Sequence, residues 1–274
     1  MSETANHTPL VSVVMATFNE TPEMISTSIN SILQQTLRDF ELLIIDDSTN
    51  TETIQAIDTF AETDNRIRII RSTTRFGFVP ALNEGLRLAK GKFIARMDGD
   101  DISEPTRLEK EVAFFNQYSN IAVVGTFIYL IDEEGKIISS REYPLTKKQI
   151  RKKAIFRSPL AHPTVMMRRS LIDDGFFYNP DFKKAEDYEL WLRLMRNNYV
   201  FGNLNEKLLR YRILTNMTQK RNKQHFFYAL KAKWKNFDFG HPLTSTLSVI
   251  FGCMIYLSPA FVLRRLYNIE NNQS

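Results

Sequence analysis

Short apolar runs alternate with helical patterns along the first hundred residues. The runs VSVVMA, ELLIID, RIRII and KFIARM predict buried strands over 11–16, 41–46, 66–70 and 92–97. One helix is predicted to begin at Pro22, behind a candidate N-cap at Thr21. Others are predicted over 51–63 and from Pro80 to near Gly91. Because this alternation is typical of βαβ units, we expect an α/β fold with a mostly parallel sheet.

Beyond residue 120 the pattern changes. IAVVGTFIYLID predicts a strand, DEEG a turn and KIIS a short return strand. A helix is predicted from near Ala185, with Glu189 and Arg193 as an i,i+4 ion pair and Trp191 in the core. A further strand is expected over 207–214. The sheet should therefore be mixed in this half.

The C-terminal part has an apolar run without charge over 242–263, which Arg264 and Arg265 close. It is about long enough to span a bilayer, for which ~20 apolar residues are needed. A single span would carry the arginine pair across the membrane, against the positive-inside tendency. An interfacial helix or hairpin on the cytoplasmic leaflet is favoured, with a buried helical appendage and a true span as alternatives.

Composition narrows the class of protein only a little. With 274 residues and 43% hydrophobic residues the chain can build a core, and 36 Lys and Arg against 31 Asp and Glu make it mildly basic. The lone Cys253 lies in an apolar stretch and is expected to pack. The start MSETANHTPL lacks a secretory pattern, so we expect the catalytic part in the cytoplasm. The sequons at Asn6 and Asn216 are then chance matches.

Polar side chains follow three of the predicted strands. In open α/β sheets, ligands bind outside the carboxyl ends of the strands, where these groups converge. They are Thr17, Phe18 and Asn19, then Asp46, Asp47 and Ser48, then Asp98, Asp100 and Asp101.

The segment DGDD offers hard oxygen ligands. Asp98 and Asp100 suit Mg²⁺ or Mn²⁺, which take one or two protein carboxylates and fill their other positions with water and phosphate. A cation would also remove the repulsion among the three carboxylates. An acidic surface turn is the alternative interpretation.

Asp46 and Asp47 lie where carboxylates of dinucleotide folds accept hydrogen bonds from a base or ribose. Alternatively, Asp47 or Ser48 caps the helix over 51–63. The loop TFNE after the first strand has no glycine, which disfavours a redox dinucleotide site and a P-loop.

Glu186 and Asp187 adjoin at a predicted helix start. The helix dipole stabilises negative charge there, and that alone can explain the pair. The functional alternative is a general base within reach of an attacking hydroxyl.

Taken together, five motifs resemble the family 2 inverting glycosyltransferases with the GT-A fold. The likeness is greatest to bacterial enzymes of capsular, exopolysaccharide and lipopolysaccharide assembly, of the amylovoran type. It covers residues 10 to 215 in order, through VSVVMATFNE, IIDDSTNTET, ALNEGLRLAKGKFIARMDGDDISEPTRLEKE, HPTVMMRRS and AEDYELWLRL.

The resemblance implies a role for each matching position. Asp187 is the expected catalytic base, with Glu186 positioning it or touching the acceptor. Asp100 is the expected metal ligand, with Asp98 nearer the ribose or diphosphate, and Asp101 is expected to hold the loop. The expected donor-binding set is Ala16, Thr17, Phe18, Asn19, Asp46, Asp47, Asn83 and Asp98. Phosphate or acceptor contacts are expected at His162, Arg168 and Arg212.

The implied architecture has three parts. A polar tail over 1–9 precedes a GT-A domain over 10–215, whose nucleotide-binding half is 10–118 and acceptor-binding half 119–215. A helical, membrane-associating segment follows over 216–274.

The implied reaction is metal-dependent transfer, with Mn²⁺ or Mg²⁺, from a UDP-, GDP- or dTDP-sugar. The acceptor would be a glycan or a polyprenyl-linked saccharide at the inner face of the membrane, reached by peripheral contact through 242–265; nucleic acid is not an expected partner. Because no Gln-X-X-Arg-Trp segment follows the Glu-Asp motif, we expect non-processive transfer.

Two other functions fit parts of the pattern. A nucleotidyltransferase that makes nucleotide-sugars would share the sheet and the metal, but its glycine-rich basic loop is missing after the first strand. A non-catalytic glycan- or lipid-binding relative would not need every expected carboxylate, and all of them are present.

Overall fold

The computed structural model describes residues 7–214 and 223–258, in which helices flank a central sheet. Its strands are β1 (Val11–Thr17), β2 (Phe40–Asp46), β3 (Ile67–Ile70), β4 (Phe93–Asp98), β5 (Ile102–Ser103), β6 (Ile121–Ile131), β7 (Ile137–Arg141), β8 (Met166–Arg168) and β9 (Val200–Arg212). Its helices are α1 (Pro22–Leu33), α2 (Thr51–Thr63), α3 (Phe78–Leu88), α4 (Arg107–Gln117), α5 (Lys147–Ala154), α6 (Ser170–Asp173), α7 (Glu186–Arg196), α8 (Lys223–Lys235) and α9 (Pro242–Leu257).

The strands form one sheet in the order β3-β2-β1-β4-β8-β6-β9-β5, and β7 pairs with β6. The first four are parallel, as predicted from the βαβ pattern. Antiparallel β8 joins β4 to β6, and β6 and β9 are parallel. The predicted mixed, mostly parallel sheet is therefore confirmed, while the last strand begins seven residues earlier than expected.

Local signals explain the starts of the first two helices. The Thr21 hydroxyl accepts from the Met24 N–H at 3.3 Å. Pro22 has no main-chain N–H that would need an acceptor in the first turn, so α1 begins as predicted. The alternative interpretation of Asp47 or Ser48 as the cap of α2 is wrong. Asn50 caps that helix instead, accepting from the Thr53 N–H, because the chain first makes a loop beside β1.

Two apolar clusters cover the two faces of the sheet. On one face, β1, β2 and β4 pack against α3 and α7. On the other face, the same strands pack against α1 and α4. Trp191 is fully buried, and Glu189 and Arg193 pair at 3.1 Å, both as predicted. The sheet edge that carries the predicted site is thereby held rigidly from both sides.

The helices α8 and α9 pack against each other, and α8 also contacts α7. Cys253 of α9 is half-buried, in keeping with a packing role. No helix in 7–214 or 223–258 is long and apolar enough to cross a membrane. Positions 259–263 of the charge-free run, Arg264, Arg265 and the sequons at Asn6 and Asn216 lie outside the described residues.

Candidate active site

The parallel pairing brings three strand ends to one edge of the sheet. Thr17 at the end of β1 lies opposite Asp46 of β2, and Ala16 lies opposite Asp98 of β4. The polar residues that follow these strands therefore meet, as their positions in the sequence predict.

The segment after β4 forms a compact carboxylate cluster. Asp98, Asp100 and Asp101 each offer one oxygen, and these oxygens lie within 4.8 Å of one another. Burial and then the charges of Asp98 and Glu20 raise the pKa of Asp100 to about 7. The cluster thus holds more negative charge than its surroundings neutralise.

Glu20 is a fourth carboxylate of this corner, and sequence analysis did not single it out. Its carboxylate accepts from the Thr17 hydroxyl and from the Phe18 N–H at 2.9 Å. Burial raises its pKa, and the charge of Asp98 adds to the shift. A Cβ on Gly99 would lie 3.1 Å from the Glu20 carboxyl carbon, so glycine at this position leaves room for Glu20. Its place directly after β1, in TFNE, was the available signal.

Arg212 holds the loop of the carboxylate cluster from β9. Its guanidinium donates to the main-chain oxygens of Asp100 at 2.8 Å, Asp132 at 3.0 Å and Glu133 at 2.6 Å. Its main-chain N–H donates to Asp101 at 2.9 Å, so Asp101 holds the loop as predicted. The prediction that Arg212 contacts a phosphate or the acceptor needs correction, because its buried guanidinium is already occupied by these carbonyls.

The loops after β1 and β2 are joined through Asn19, which has a left-handed conformation with φ 60°. Its side-chain oxygen accepts from the N–H groups of Thr49 at 2.7 Å and Asn50 at 3.1 Å. Asp46 is buried and pairs with Arg71 at 2.7 Å. Both residues thus shape the edge of the expected base pocket from inside the protein.

Asp47 and Phe18 line that pocket more directly. The two Asp47 oxygens accept from the N–H groups of Phe76 at 2.9 Å and Gly77 at 2.7 Å. Because a carboxylate has about four acceptor positions, Asp47 can take a further hydrogen bond. The Phe18 side chain is 40% exposed, and the Arg75 guanidinium lies 3.6 Å from its ring centre.

Glu186 and Asp187 form the second acidic corner, in the first turn of α7. Ala185 before them has a left-handed conformation, with φ 56° and ψ 29°, which is uncommon for a residue with a Cβ and turns the chain sharply into the helix. The Ser158 hydroxyl donates to Asp187 at 3.2 Å. Burial, followed by the charge of Asp187, raises the pKa of Glu186 to about 7.

His162 lies beside this pair, as its assignment to the site requires. Its Nδ1 is 4.0 Å from Glu186, and its Nε2 is 2.8 Å from the Tyr178 hydroxyl. Burial and the charge of Arg96 lower the pKa of His162, so the ring is neutral near neutral pH.

Arg96 connects the two corners, and sequence analysis missed it as well. Its buried guanidinium pairs with Asp98, and its charge also lowers the pKa values of Asp100 and Glu186. Burial raises the pKa of Tyr178, and the charges of Asp187, Glu186 and Asp98 add smaller contributions to this shift. The charge of Arg96 thus acts on carboxylates of both corners.

Two further sequence predictions need correction. Asn83 is buried and exchanges hydrogen bonds with the Tyr178 main chain at 2.8 and 2.9 Å, so it fixes that segment instead of reaching a donor. Arg168 pairs with Phe93 at the start of β4, whereas Asp98 is at its end. It donates to the Ile121 and Phe115 carbonyls at 2.7 and 3.0 Å, away from the cluster.

A divalent cation fits the first corner. The donors are carboxylate oxygens, the ligands that Mg²⁺ and Mn²⁺ prefer. The buried Asp101 Oδ2 has no hydrogen-bond partner among the described residues, and the pKa of Asp100 is raised by like charge. Asp98 and Asp100, with Glu20 near them, could therefore hold such an ion.

Comparison with solved structures defines the class of this fold. A Staphylococcus aureus TarS chain of residues 1–349, in complex with UDP-GlcNAc, superposes with a TM-score of 0.70 at 17% identity, over 96% of this chain and 76% of that fragment. The mannosyltransferase PcManGT of Pyrobaculum calidifontis, in complex with GDP-Man and Mn²⁺, gives 0.61 at 15% identity, over 96% and 80%. The fold is thus the α/β GT-A fold that the sequence predicted.

Sequence comparison then gives the family. Residues 12–176 match the profile described as Glycosyl transferase family 2, so the chain belongs to that family and is a glycosyltransferase, as predicted.

Three relatives extend this result. An uncharacterized glycosyltransferase of Methanocaldococcus jannaschii is 32% identical over 97% of this chain and 95% of its own length. The O-antigen biosynthesis glycosyltransferase WbnJ of Escherichia coli is 40% identical over 77% and 82%. The amylovoran biosynthesis glycosyltransferase AmsE of Erwinia amylovora is 29% identical over 94% and 98%.

Proposed function

We propose that this protein transfers a sugar, with inversion and without processivity, from a nucleotide-sugar to a glycan or lipid-linked saccharide in surface polysaccharide biosynthesis. The observation that carries the proposal is the pair of acidic corners, both within the electrostatic influence of buried Arg96. One suits a cation and a diphosphate, and the other suits proton transfer. The O-antigen and amylovoran relatives support the class of acceptor.

In the proposed reaction, Asp187 accepts the proton of an acceptor hydroxyl. A lone pair of the deprotonated oxygen then attacks the anomeric carbon, while the bond from that carbon to the nucleoside diphosphate breaks on the opposite face. The configuration is thereby inverted. Once Glu186 is itself ionised, its negative charge lies beside the base Asp187. Ser158 orients Asp187 through its 3.2 Å hydrogen bond.

We place the donor across the three strand ends. Asp47 accepts from a base N–H with its remaining lone pairs. The base stacks on Phe18, where it takes the place of the Arg75 guanidinium. UDP-, GDP- and dTDP-sugars all present the groups that these contacts need, and the structural relatives with UDP-GlcNAc and GDP-Man support this class of donor.

Asp98 and Asp100 are the proposed ligands of Mn²⁺ or Mg²⁺. When bound, the ion supplies positive charge that offsets the charge of the departing nucleoside diphosphate. Arg96 pairs with Asp98 and holds it in place, and Arg212 fixes the main chain that carries Asp100.

We also propose that the protein contacts the cytoplasmic face of the membrane through 242–265. Exposed apolar side chains recur along one face of α9, at Leu243, Leu247, Ile250, Met254 and Leu257. Trp234 of α8 and Phe239, which precedes α9, are exposed as well, at 71% and 87%. Such a stripe suits the boundary between headgroups and acyl chains.

The transfer proposal is tested by nucleoside diphosphate release from a panel of nucleotide-sugars, with Mn²⁺ and without it. Asp100→Asn should lose both Mn²⁺ binding, measured by calorimetry, and release. Glu62→Gln, an exposed carboxylate on α2, is the control for loss of charge alone. Parent-like Mn²⁺ binding by Asp100→Asn would show that the ligand assignment is wrong.

The membrane contact is tested by co-sedimentation with vesicles. Leu247→Asp should release the protein from anionic vesicles, whereas Ile138→Asp, at a similarly exposed position on β7, should not. Equal retention of both variants would overturn the contact through α9.

A further inference from the structure

The helix α8 lies against segment 182–189, which carries the second acidic corner, and it has no part in the reaction proposed above. Its Tyr228 ring packs against Phe182, with ring centres 6.0 Å apart. The side-chain amide of Asn236, directly after the helix, donates to the Glu189 carboxylate at 3.3 Å. The helix therefore contacts this segment both before and after the carboxylate pair.

An apolar cluster fills the space between these two contacts. Phe182, Ala185, Tyr188 and Ala232 are buried together in it. Ala185 directly precedes the carboxylate pair, and Tyr188 directly follows it. Ala232 of α8 is fully buried, so a larger side chain at this position must displace its neighbours.

The turn at Ala185 is not explained by its local sequence. Ala185 is the N-cap residue of α7, yet it has no side-chain oxygen for the free N–H groups of the first turn. Its φ of 56° lies in the left-handed region, where glycine is usual. A residue with a Cβ keeps such a conformation only when the surrounding structure fixes it. The buried cluster shared with α8 supplies this constraint.

Burial of apolar surface alone is the simplest explanation of α8. It predicts that substitutions reduce stability according to the packing lost, wherever they lie in the core. It does not explain the contact of Asn236 with Glu189, in which a residue 8% exposed meets a fully buried one. Arg193 already neutralises Glu189 at 3.1 Å. The amide therefore adds a directional link between α8 and α7, which apolar burial does not require.

The helices α8 and α9 also contact the segment that leads to Ser158. The Lys233 amine of α8 donates to the Ile155 carbonyl at 2.9 Å, and the Ser248 hydroxyl of α9 donates to the same carbonyl at 3.0 Å. Three residues further on, the Ser158 hydroxyl donates to Asp187. The helix α8 is thereby connected to both supports of the proposed base, the turn at the start of α7 and the serine.

We propose that α8 is a positioning element for the base, in which Ala232 and Asn236 hold the first turn of α7 so that Asp187 meets the acceptor hydroxyl. Both residues act through α7 and not on the substrate. The inference rests on the proposed transfer with Asp187 as its base. Because the proposed donor and cation sites lie at the strand ends, a change in α8 should slow transfer without weakening the binding of either ligand.

The test measures nucleoside diphosphate release by the full chain at saturating Mn²⁺ and saturating donor, with the donor that the panel identifies. Ala232→Leu enlarges a buried side chain in the cluster that holds the turn, and Asn236→Ala removes the amide from Glu189. Leu194→Ala is the matched control. It opens a cavity on the other face of α7, in the other apolar cluster, about two turns beyond Asp187.

The α8 variants should separate turnover from binding. Ala232→Leu should lower kcat by about 10²-fold, the order of loss that follows when a catalytic group is misplaced by about 1 Å. Asn236→Ala should lower kcat by a smaller factor. Both should bind nucleotide-sugar and Mn²⁺ as the parent does, measured by calorimetry. Leu194→Ala should lose stability in denaturant and keep the kcat of the parent.

Amide hydrogen exchange provides a measurement that needs no turnover. The Glu189 N–H donates to the Ala185 carbonyl at 3.0 Å in the first turn of α7. This amide should exchange faster in Ala232→Leu and Asn236→Ala than in Leu194→Ala, because its protection depends on the turn that α8 holds.

Parent-like kcat in both α8 variants would overturn the inference, and so would an equal loss of kcat in Leu194→Ala. Weaker donor binding in step with kcat would also overturn it, because α8 would then act on the fold as a whole. If Ala232→Leu does not fold, Asn236→Ala decides the question. Failure of the transfer proposal itself is detected separately, as absence of nucleoside diphosphate release from the parent with every donor.

Discussion

The two acidic corners of the site are built differently. At the first, the proposed metal corner of Asp98 and Asp100, strand ends fix the carboxylates, and guanidinium groups support them: Arg96 pairs with Asp98, and Arg212 holds the loop of Asp100. At the second, the proposed base corner, the successive carboxylates Glu186 and Asp187 stand in the first turn of α7, beside a hydroxyl and a neutral histidine. Neighbouring cations favour carboxylates that remain ionised, as metal ligands do. Neutral neighbours leave a carboxylate free to take up and release a proton, as a general base must.

A large loss of stability is expected where the support of the metal corner is removed. Arg212→Met leaves three carbonyls without their charged donor and should lower the free energy of unfolding by about 3 kcal/mol. It should also weaken Mn²⁺ binding, because the Asp100 main chain is no longer held. Denaturant unfolding and Mn²⁺ calorimetry measure the two effects.

Arg168→Met is the matched control. It also removes carbonyl contacts of a guanidinium, but at the opposite end of β4. Stability should fall while Mn²⁺ binding is kept. Equal loss of Mn²⁺ binding in both variants would mean that Arg212 acts only on global stability.

A smaller effect is expected at the base corner, from pH. Burial and then the charge of Asp187 raise the pKa of Glu186 to about 7, so Glu186 is neutral below this pH and charged above it. Parent activity should therefore rise about tenfold between about pH 6 and pH 8. Glu186→Gln should flatten this rise, which a pH profile of kcat would reveal. An unchanged profile would assign the rise to another group.

A further effect of pH concerns a buried carboxylate outside both corners. Burial raises the pKa of Glu111 to about 8, against the opposing charge of Arg107, from an ordinary value of 4.5. Because the folded state holds this proton more tightly, the stability it contributes is present below pH 4.5 and is lost as the pH rises through 8. Glu111→Gln should therefore melt higher than the parent at pH 9 and close to it at pH 5. A constant difference would show that Glu111 does not titrate there.

The two corners also differ in how far their residues could be predicted from the sequence. Asp98 and Asp100 follow a strand, and strand ends of a parallel sheet meet, so their grouping follows from local pattern alone. Glu186 and Asp187 were found by motif, and only tertiary packing brings Ser158 and His162 to them.

The wrong assignments have the same origin. Arg168 is near His162 in sequence, but β8 runs antiparallel to β4 and carries it to the far end of the sheet. Arg96 was hidden inside a strand, where a charge is unexpected unless it is paired, and its partner Asp98 was already assigned to metal binding. The sequence could therefore predict individual site residues. It could not predict the residues that hold them in place, because those depend on pairing across the sheet.

The most direct test of the account is the transfer rate of Asp187→Asn beside its affinity for the donor. We expect turnover to fall by a factor of about 10² to 10⁴, as loss of a general base does, with nucleotide-sugar and Mn²⁺ binding close to those of the parent. Asp187→Asn that transfers sugar at the parent rate would contradict the assignment of the base and the division of the site into two corners.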